Sequence, residues 1–300
     1  MASSASLHST VLSGFKNVVR EEQSLAPFTW LRIGGPTRYL IEPDDQQQLV
    51  ELVRICQSNS IPMKLMGGGS NLLIRETGFG GATLVLSAPA FNQMSRDGNR
   101  VRCGGGAKLS HLIAFCVGQG LGGLEHLIGI PGSVGGALKG NSGTSEGDIG
   151  QAVESVQLLT AGGSVVEATG KQLAFSYRES SLDELAILEV VFRLEPGDVR
   201  ALTKREQTFW ILKRGRQPSF PERAAVAFIN PTGYEASDLL LQAGFNGSSE
   251  GAIRLSSTYP NFLIASAGAT SDQVLTLLDR VREGVHERTG VQLQSHLQIW

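Results

Sequence analysis

Two glycine-rich stretches carry the residues best suited to doing chemistry through the backbone itself: "GGGSN" at 67–71 and "GIPGSVGGALKGNSG" at 129–143. Successive N–H groups without neighbouring Cβ atoms form concave nests for anions, and a helix start adds a favourable dipole. A phosphate group is the guest such loops suit. Turns that need unusual dihedrals are the other reading, and spacing alone leaves both open. Neither stretch is a dinucleotide fingerprint. Gly67-Gly68-Gly69-Ser70-Asn71-Leu72 lacks the last glycine of GxGxxG, Gly129, Gly132 and Gly135 are spaced three apart, and no GxxxxGK[ST] occurs.

The elements that must hold these loops follow from periodicity. "RYLIEP", "QQQLVELVRICQSNSIP" and "PMKLMGGGSNLLI" read as strand, helix and strand, a βαβ unit that favours parallel pairing. "ATLVLS" is a further strand. "RVRCGGGAKLSHLIAFCV" reads as strand, glycine turn and a helix from about 108 to 117, "AVESVQLLTAGGSVVEA" as a hairpin turning at Gly162-Gly163, and "AILEVVFRLEP" as a long strand. After Gly197 the texture changes: a charged amphipathic helix in "VRALTKREQTFWILKRGRQP", two more helices in "YEASDLLLQAGF" and "SDQVLTLLDRVREGVHERTG", strands at "GAIRLSS" and "PNFLIASAG", and a last strand in "VQLQSHLQIW". This reading divides the chain into an N-terminal extension (1–22), a glycine-rich α+β domain (23–197) and a smaller α/β domain (198–300).

Composition bounds the function. The 300 residues are 41% hydrophobic and 18% charged with a net charge of -2, a balance without the basic excess of nucleic-acid or anionic-membrane binders. Glycine is over-represented, with 37 residues, against a usual share of about 7%. Cys56, Cys103 and Cys116 form no CxxC pair and read as core residues in a reducing compartment. No basic leader followed by an apolar run opens the chain, and no stretch approaches a membrane span, so the expectation is a cytoplasmic monomer with no metal, no nucleic-acid partner and no membrane insertion.

"RIGGP" (32–36), "PMKLMGGGSNLLI" (62–74), "GLEHLIGIPGSVGGALKGNSG" (123–143), "FSYRES" (175–180), "RQP" (216–218) and "FINP" (228–231) occur in an order that resembles the bacterial UDP-N-acetylenolpyruvoylglucosamine reductase family, over about residues 25 to 300. The chain is similar to the short-loop subclass, because "SLDELAILEV" follows "SYRES" directly. The resemblance implies a vanillyl-alcohol-oxidase-type FAD-binding domain of two α+β subdomains, followed by the smaller substrate domain. It implies non-covalent FAD, NADPH as electron donor, and reduction of an enolpyruvyl UDP-sugar in peptidoglycan precursor synthesis. It places Gly67, Gly68, Gly69, Ser70 and Asn71, and Gly129, Ile130, Pro131, Gly132, Ser133, Gly135, Gly136, Asn141 and Gly143, along the cofactor, where the glycines admit close approach and Ser70, Ser133, Asn71 and Asn141 offer polar side chains.

Such a reaction needs a cation for the substrate carboxylate, a proton donor and a phosphate clamp. By the resemblance, Arg178 is the active-site arginine, whose guanidinium suits a carboxylate, and Tyr177 lies beside it near the substrate. Asn230, Arg214 and Arg216 match substrate-binding positions. The family's proton-donor serine falls at Val226 counted back from Asn230-Pro231, or at Ala225 counted forward from Pro221, and nothing between the two prolines carries a hydroxyl. The family's C-terminal glutamate falls at His296, a residue that can serve as an acid near neutral pH. These departures leave a second reading: a flavin-binding paralogue whose chemistry is lost or changed.

Overall fold

The computed structural model describes residues 11–218 and 223–300. The first ten residues of the expected N-terminal extension, and Pro221, lie outside the described residues. The chain forms two compact units that do not follow a single cut in the sequence. Among the described residues, the first holds 11–23, 37–68 and 80–213, and the second 24–36, 69–79, 214–218 and 223–300.

The two larger sheets of the first unit each have their own core. One is ordered Val19–Ser24, Pro36–Ile41, Phe79–Leu84, Met63–Leu65. Helix α1 (Gln46–Ser58) starts where the Asp45 side chain accepts the Gln48 N–H at 2.9 Å, and it buries Leu49, Leu52, Val53 and Cys56. With Tyr39, Ile41 and Leu84 they make a closed apolar cluster. The expected parallel pairing is present, with a different partner: Met63–Leu65 runs parallel to Phe79–Leu84, which lies between it and Pro36–Ile41 in the sheet.

The second sheet of this unit is antiparallel, ordered Val165–Thr169, Val153–Leu159, Ala186–Arg193, Arg100–Gly104, Met94–Asp97. The hairpin expected at Gly162-Gly163 joins its first two strands, with Gly163 at φ 75°. Helix α2 (Leu109–Gly118) and the short helix α3 (Val134–Lys139) bury Leu109, Leu112, Ile113, Val134 and Leu138 in its core. Helix α4 (Val199–Arg214), begun by Asp198 accepting the Ala201 N–H, buries only Leu202.

The second unit packs helices α5 (Ala236–Gln242) and α6 (Ser271–Thr289) with an antiparallel sheet ordered Ala224–Val226, Phe262–Ala265, Ile253–Leu255, Ser249–Glu250. Thr270 and Gln273 form a capping box on α6, which ends at the left-handed Gly290. The last strand differs from expectation. It is two short pieces, Gln294–Ser295 paired with Phe228–Ile229, and Gln298–Ile299 paired in parallel with Leu72–Leu73. The change of partner breaks it at His296. No helix among the described residues is long and apolar enough to cross a membrane, and no cluster of potential metal ligands occurs among them.

Candidate active site

The glycine loops are built by backbone packing. In the first unit the turn at 132–135 is stitched to 105–109: Leu109 N–H donates to Gly132 O at 3.1 Å, Val134 N–H to Ala107 O at 2.8 Å, and Gly135 N–H to Gly105 O at 2.8 Å. The other loop presses on the same turn. A Cβ on Gly68 would lie 2.5 Å from Gly132 Cα, and one on Gly67 would lie 2.7 Å from Ser133 Oγ. These glycines are needed for the two loops to touch, and Gly67, Gly68 and Gly136 remain exposed, with the Ser133 hydroxyl the one side-chain atom close to Gly67 and Gly136.

The side chains divide more sharply. Ser133 caps α3, its Oγ accepting the Gly136 N–H at 3.2 Å, and its proton is left to donate. Gly129, at φ 81°, is covered: a Cβ there would lie 2.8 Å from Lys213 Cγ and 3.3 Å from the Trp210 ring on α4. Ile130 and Gly132 are partly exposed and Pro131 is exposed, beside one another on the loop. Gly143 packs on Asp148 in a two-residue strand pair. Asn141, expected to offer its amide to the cofactor, is buried with both ends of that amide engaged: Nδ2 donates to Ser176 O at 2.7 Å and Oδ1 accepts the Gly150 N–H at 3.1 Å. In the second unit Gly69 sits at φ 66°, and Asn71 Oδ1 is a buried acceptor with no hydrogen-bond partner among the described residues. The bare, exposed backbone of these loops in the first unit suits a phosphate-bearing cofactor, so the residues present fit FAD. Such a group would be held by Gly67, Gly68 and the 131–136 turn.

Tyr177 and Arg178 are the two central residues of a minimal hairpin, Phe175–Ser176 paired with Glu179–Ser180. Arg178 has φ 61°, its guanidinium lies 5.5 Å from the centre of the Tyr177 ring, and Tyr177 is 60% exposed. A non-glycine residue in this region costs on the order of 1–3 kcal/mol and tends to occur where function holds it.

In the second unit the two departures from the expected pattern come together. His296 N–H donates to Ala227 O at 2.9 Å, one residue from Val226. Ala225 and Ala227 belong to the apolar core, while Val226 is half-buried. The His296 Nδ1 is shielded from solvent. Asn230, expected against substrate, holds the start of α5: its Oδ1 accepts the Ala236 N–H at 3.0 Å and its Nδ2 donates to Glu235 Oε2 at 2.5 Å. Arg214 and Arg216, at and after the end of α4, are exposed. Sequence reasoning missed Asn261, whose amide mimics a strand: its Oδ1 accepts the Phe228 N–H at 2.9 Å and its Nδ2 donates to Phe228 O at 2.8 Å. It missed the role of Gly104, Gly105 and Gly106 too, where a Cβ would lie within 2.1 Å of a carbonyl oxygen in each case. The "CGGG" run was the visible signal, and it read only as a turn.

Comparison with known proteins decides the family. Residues 37–169 match the model of an FAD binding domain, and residues 217–300 match that of the UDP-N-acetylenolpyruvoylglucosamine reductase C-terminal domain. A UDP-N-acetylenolpyruvoylglucosamine reductase of Rhodopirellula baltica is 45% identical over 284 residues, covering 95% of this chain and 93% of that protein. The chain belongs to this reductase family. The relative named UDP-N-acetylenolpyruvoylglucosamine reductase 2 in Symbiobacterium thermophilum is 36% identical, covering 94% of this chain and 92% of its own length. The crystal structure of the reductase from Thermus caldophilus superposes with a TM-score of 0.81 at 28% identity, covering 94% of this chain and 99% of that one. The fold of the family is therefore present along nearly the whole chain, FAD-binding domain and C-terminal domain both.

Proposed function

We propose that this chain reduces UDP-N-acetylglucosamine enolpyruvate to UDP-N-acetylmuramate with NADPH, as a cytoplasmic monomer serving peptidoglycan precursor synthesis. When bound, FAD accepts hydride from NADPH and supplies it to the enolpyruvyl double bond. The protein's own residues do the rest. Arg178, held at its turn, binds the substrate carboxylate and stabilises the charge that builds there as the double bond is reduced. Tyr177 lies against the same substrate, and Arg214 and Arg216 meet its phosphates. His296 gives the proton that completes the reduction, from a ring nitrogen to the carbanionic carbon, in place of the hydroxyl that Val226 lacks.

The observation that supports this reading is the backbone pairing of His296 with Ala227, in the stretch of Ala225 and Val226 where the family's proton donor is missing. The same apolar Val226 favours the second reading, a flavin-binding paralogue without this chemistry. An anaerobic experiment separates them: reduce the yellow holoprotein with NADPH, then add the enolpyruvyl UDP-sugar. Rapid return of the oxidised spectrum, abolished in Arg178→Ala and slowed by about 10²–10⁴-fold in His296→Ala, supports the reductase. A reduced holoprotein that ignores the substrate overturns it.

A further inference from the structure

The turn that carries Arg178 does not hold itself. Its hairpin has two residue pairs, Phe175↔Ser180 and Ser176↔Glu179, and so short a ribbon is not independently stable. Positive φ falls on Arg178 and not on Tyr177. Two-residue hairpins that match strand twist place it at both central residues or at the first, and a turn with it at the second favours glycine there. An arginine at that position needs outside support.

The support comes from the end of the cofactor loop. Asn141 Nδ2 donates to Ser176 O at 2.7 Å, Ser180 Oγ donates to Lys139 O at 2.9 Å, and Lys139 Nζ donates to Leu182 O at 2.7 Å and meets Asp183 at 2.6 Å. Asn141 is itself 2% exposed, with φ 37°, and its Oδ1 is fixed by the Gly150 N–H. Gly150 in turn lies under the Phe175 ring, where a Cβ would approach to 2.3 Å. The stretch 133–141 thus has the Ser133 turn of the glycine loop at one end and both strands of the Arg178 hairpin at the other.

We infer that Asn141 is a positioning residue for Arg178, and that it fixes the carboxylate-binding guanidinium relative to the cofactor loop without touching the cofactor. This rests on the proposed reaction only for the role given to Arg178. Asn141→Asp tests it, because the carboxylate keeps the acceptor for Gly150 N–H and loses the donor to Ser176 O. The expected result is FAD affinity within about threefold of the parent, hydrogen exchange of amides 176–180 accelerated at least tenfold with 109–118 unchanged, and reoxidation by substrate slowed at least tenfold. In an Arg178→Ala background the same change should raise the Kd of the oxidised holoprotein for the UDP-sugar by less than twofold, since the residue it acts through is gone. Ser180→Ala, which removes a different strut, should give the same pattern more weakly. Loss of FAD in parallel with activity, an additive effect in the double variant, or unchanged exchange at 176–180 overturns the inference. If the parent itself is not reoxidised by substrate, the proposed reaction fails. Exchange at 176–180 and the Kd of the oxidised holoprotein for the UDP-sugar then decide this inference, the Kd expected to rise at least fivefold in Asn141→Asp and an unchanged value overturning it.

Discussion

Replacing Gly68 with alanine puts the contact between the two glycine loops to a direct test. The added Cβ would lie 2.5 Å from Gly132 Cα, 3.1 Å from Gly132 C and 3.2 Å from Ser133 N. Carbon atoms rest at about 3.5–4.0 Å, so the nearest contact is short by about 1 Å. All three atoms are backbone, and no rotamer change relieves them. The Gly132–Ser133 turn is also tied to Gly105, Ala107 and Leu109 by three hydrogen bonds, so the 67–68 segment is the part that must move. Overpacking of this kind costs ~1–3 kcal/mol. Losing one hydrogen bond to a charged phosphate adds ~1.5–3 kcal/mol, which is roughly tenfold or more in FAD affinity at about 1.4 kcal/mol per decade. FAD titration of the apoprotein, followed by flavin fluorescence, together with thermal unfolding, measures both effects. Gly136→Ala, whose Cβ meets only Ser133 Oγ at 3.3 Å, and Gly118→Ala, which meets nothing within 4 Å, should follow in order of decreasing effect. Parental affinity and melting temperature in Gly68→Ala would refute the loop-on-loop account.

Two further predictions concern stability. Asn261→Ala should lower stability by ~2–6 kcal/mol, because it strands both backbone polar groups of the 1%-exposed Phe228 at about 1–3 kcal/mol each. Asn261→Asp, which keeps the acceptor, should lose less, and urea unfolding distinguishes the two. His126 has its pKa lowered, chiefly by burial, with the Arg205 guanidinium adding to the effect and Glu125 opposing it. A histidine depressed in the folded state favours folding above its unfolded pKa, and that contribution is lost as pH falls through the ordinary histidine range and below. His126→Phe, which can still pack against Phe209, should flatten the fall in melting temperature between neutral and mildly acidic pH, and an unchanged slope would refute the assignment.

Helices α1, α2, α4 and α6 were legible because each carries its own signal. Asp45 and Thr270 mark starts, Gly290 marks a stop, and the apolar stripe of Leu49, Leu52, Val53 and Cys56 needs no partner to be seen. The hairpin at Gly163 was legible for the same local reason. Long-range choices were not. Met63–Leu65 takes Phe79–Leu84 as its parallel partner, and the last strand breaks because Leu72–Leu73 and Phe228–Ile229 compete for it. In the candidate site the glycines stood out by their clustering, whereas Tyr177 and Arg178 were reached only through the resemblance to the family. The work of Asn141, Asn230 and Asn261 could not be read, since an asparagine that binds a ligand and one that clamps a backbone look alike until the fold brings Ser176, Ala236 or Phe228 to it.

The parallel pairing of Leu72–Leu73 with Gln298–Ile299 also sets a timetable for biosynthesis. Asn71 O and Leu73 O accept the Gln298 and Trp300 N–H groups at 2.9 Å, and paired residues are 226 apart in sequence (298 − 72). At about 5–20 residues per second, a ribosome takes roughly 11–45 s to cover that distance. Segments 24–36 and 69–79 emerge early but belong to a unit otherwise made of 214–300, whereas the antiparallel sheet between 94 and 193 has all its strands within one uninterrupted stretch. The nascent chain therefore has the means to fold that sheet while Asn71 still waits for its strand, and the unit that holds Asn71 is completed only when synthesis is nearly over.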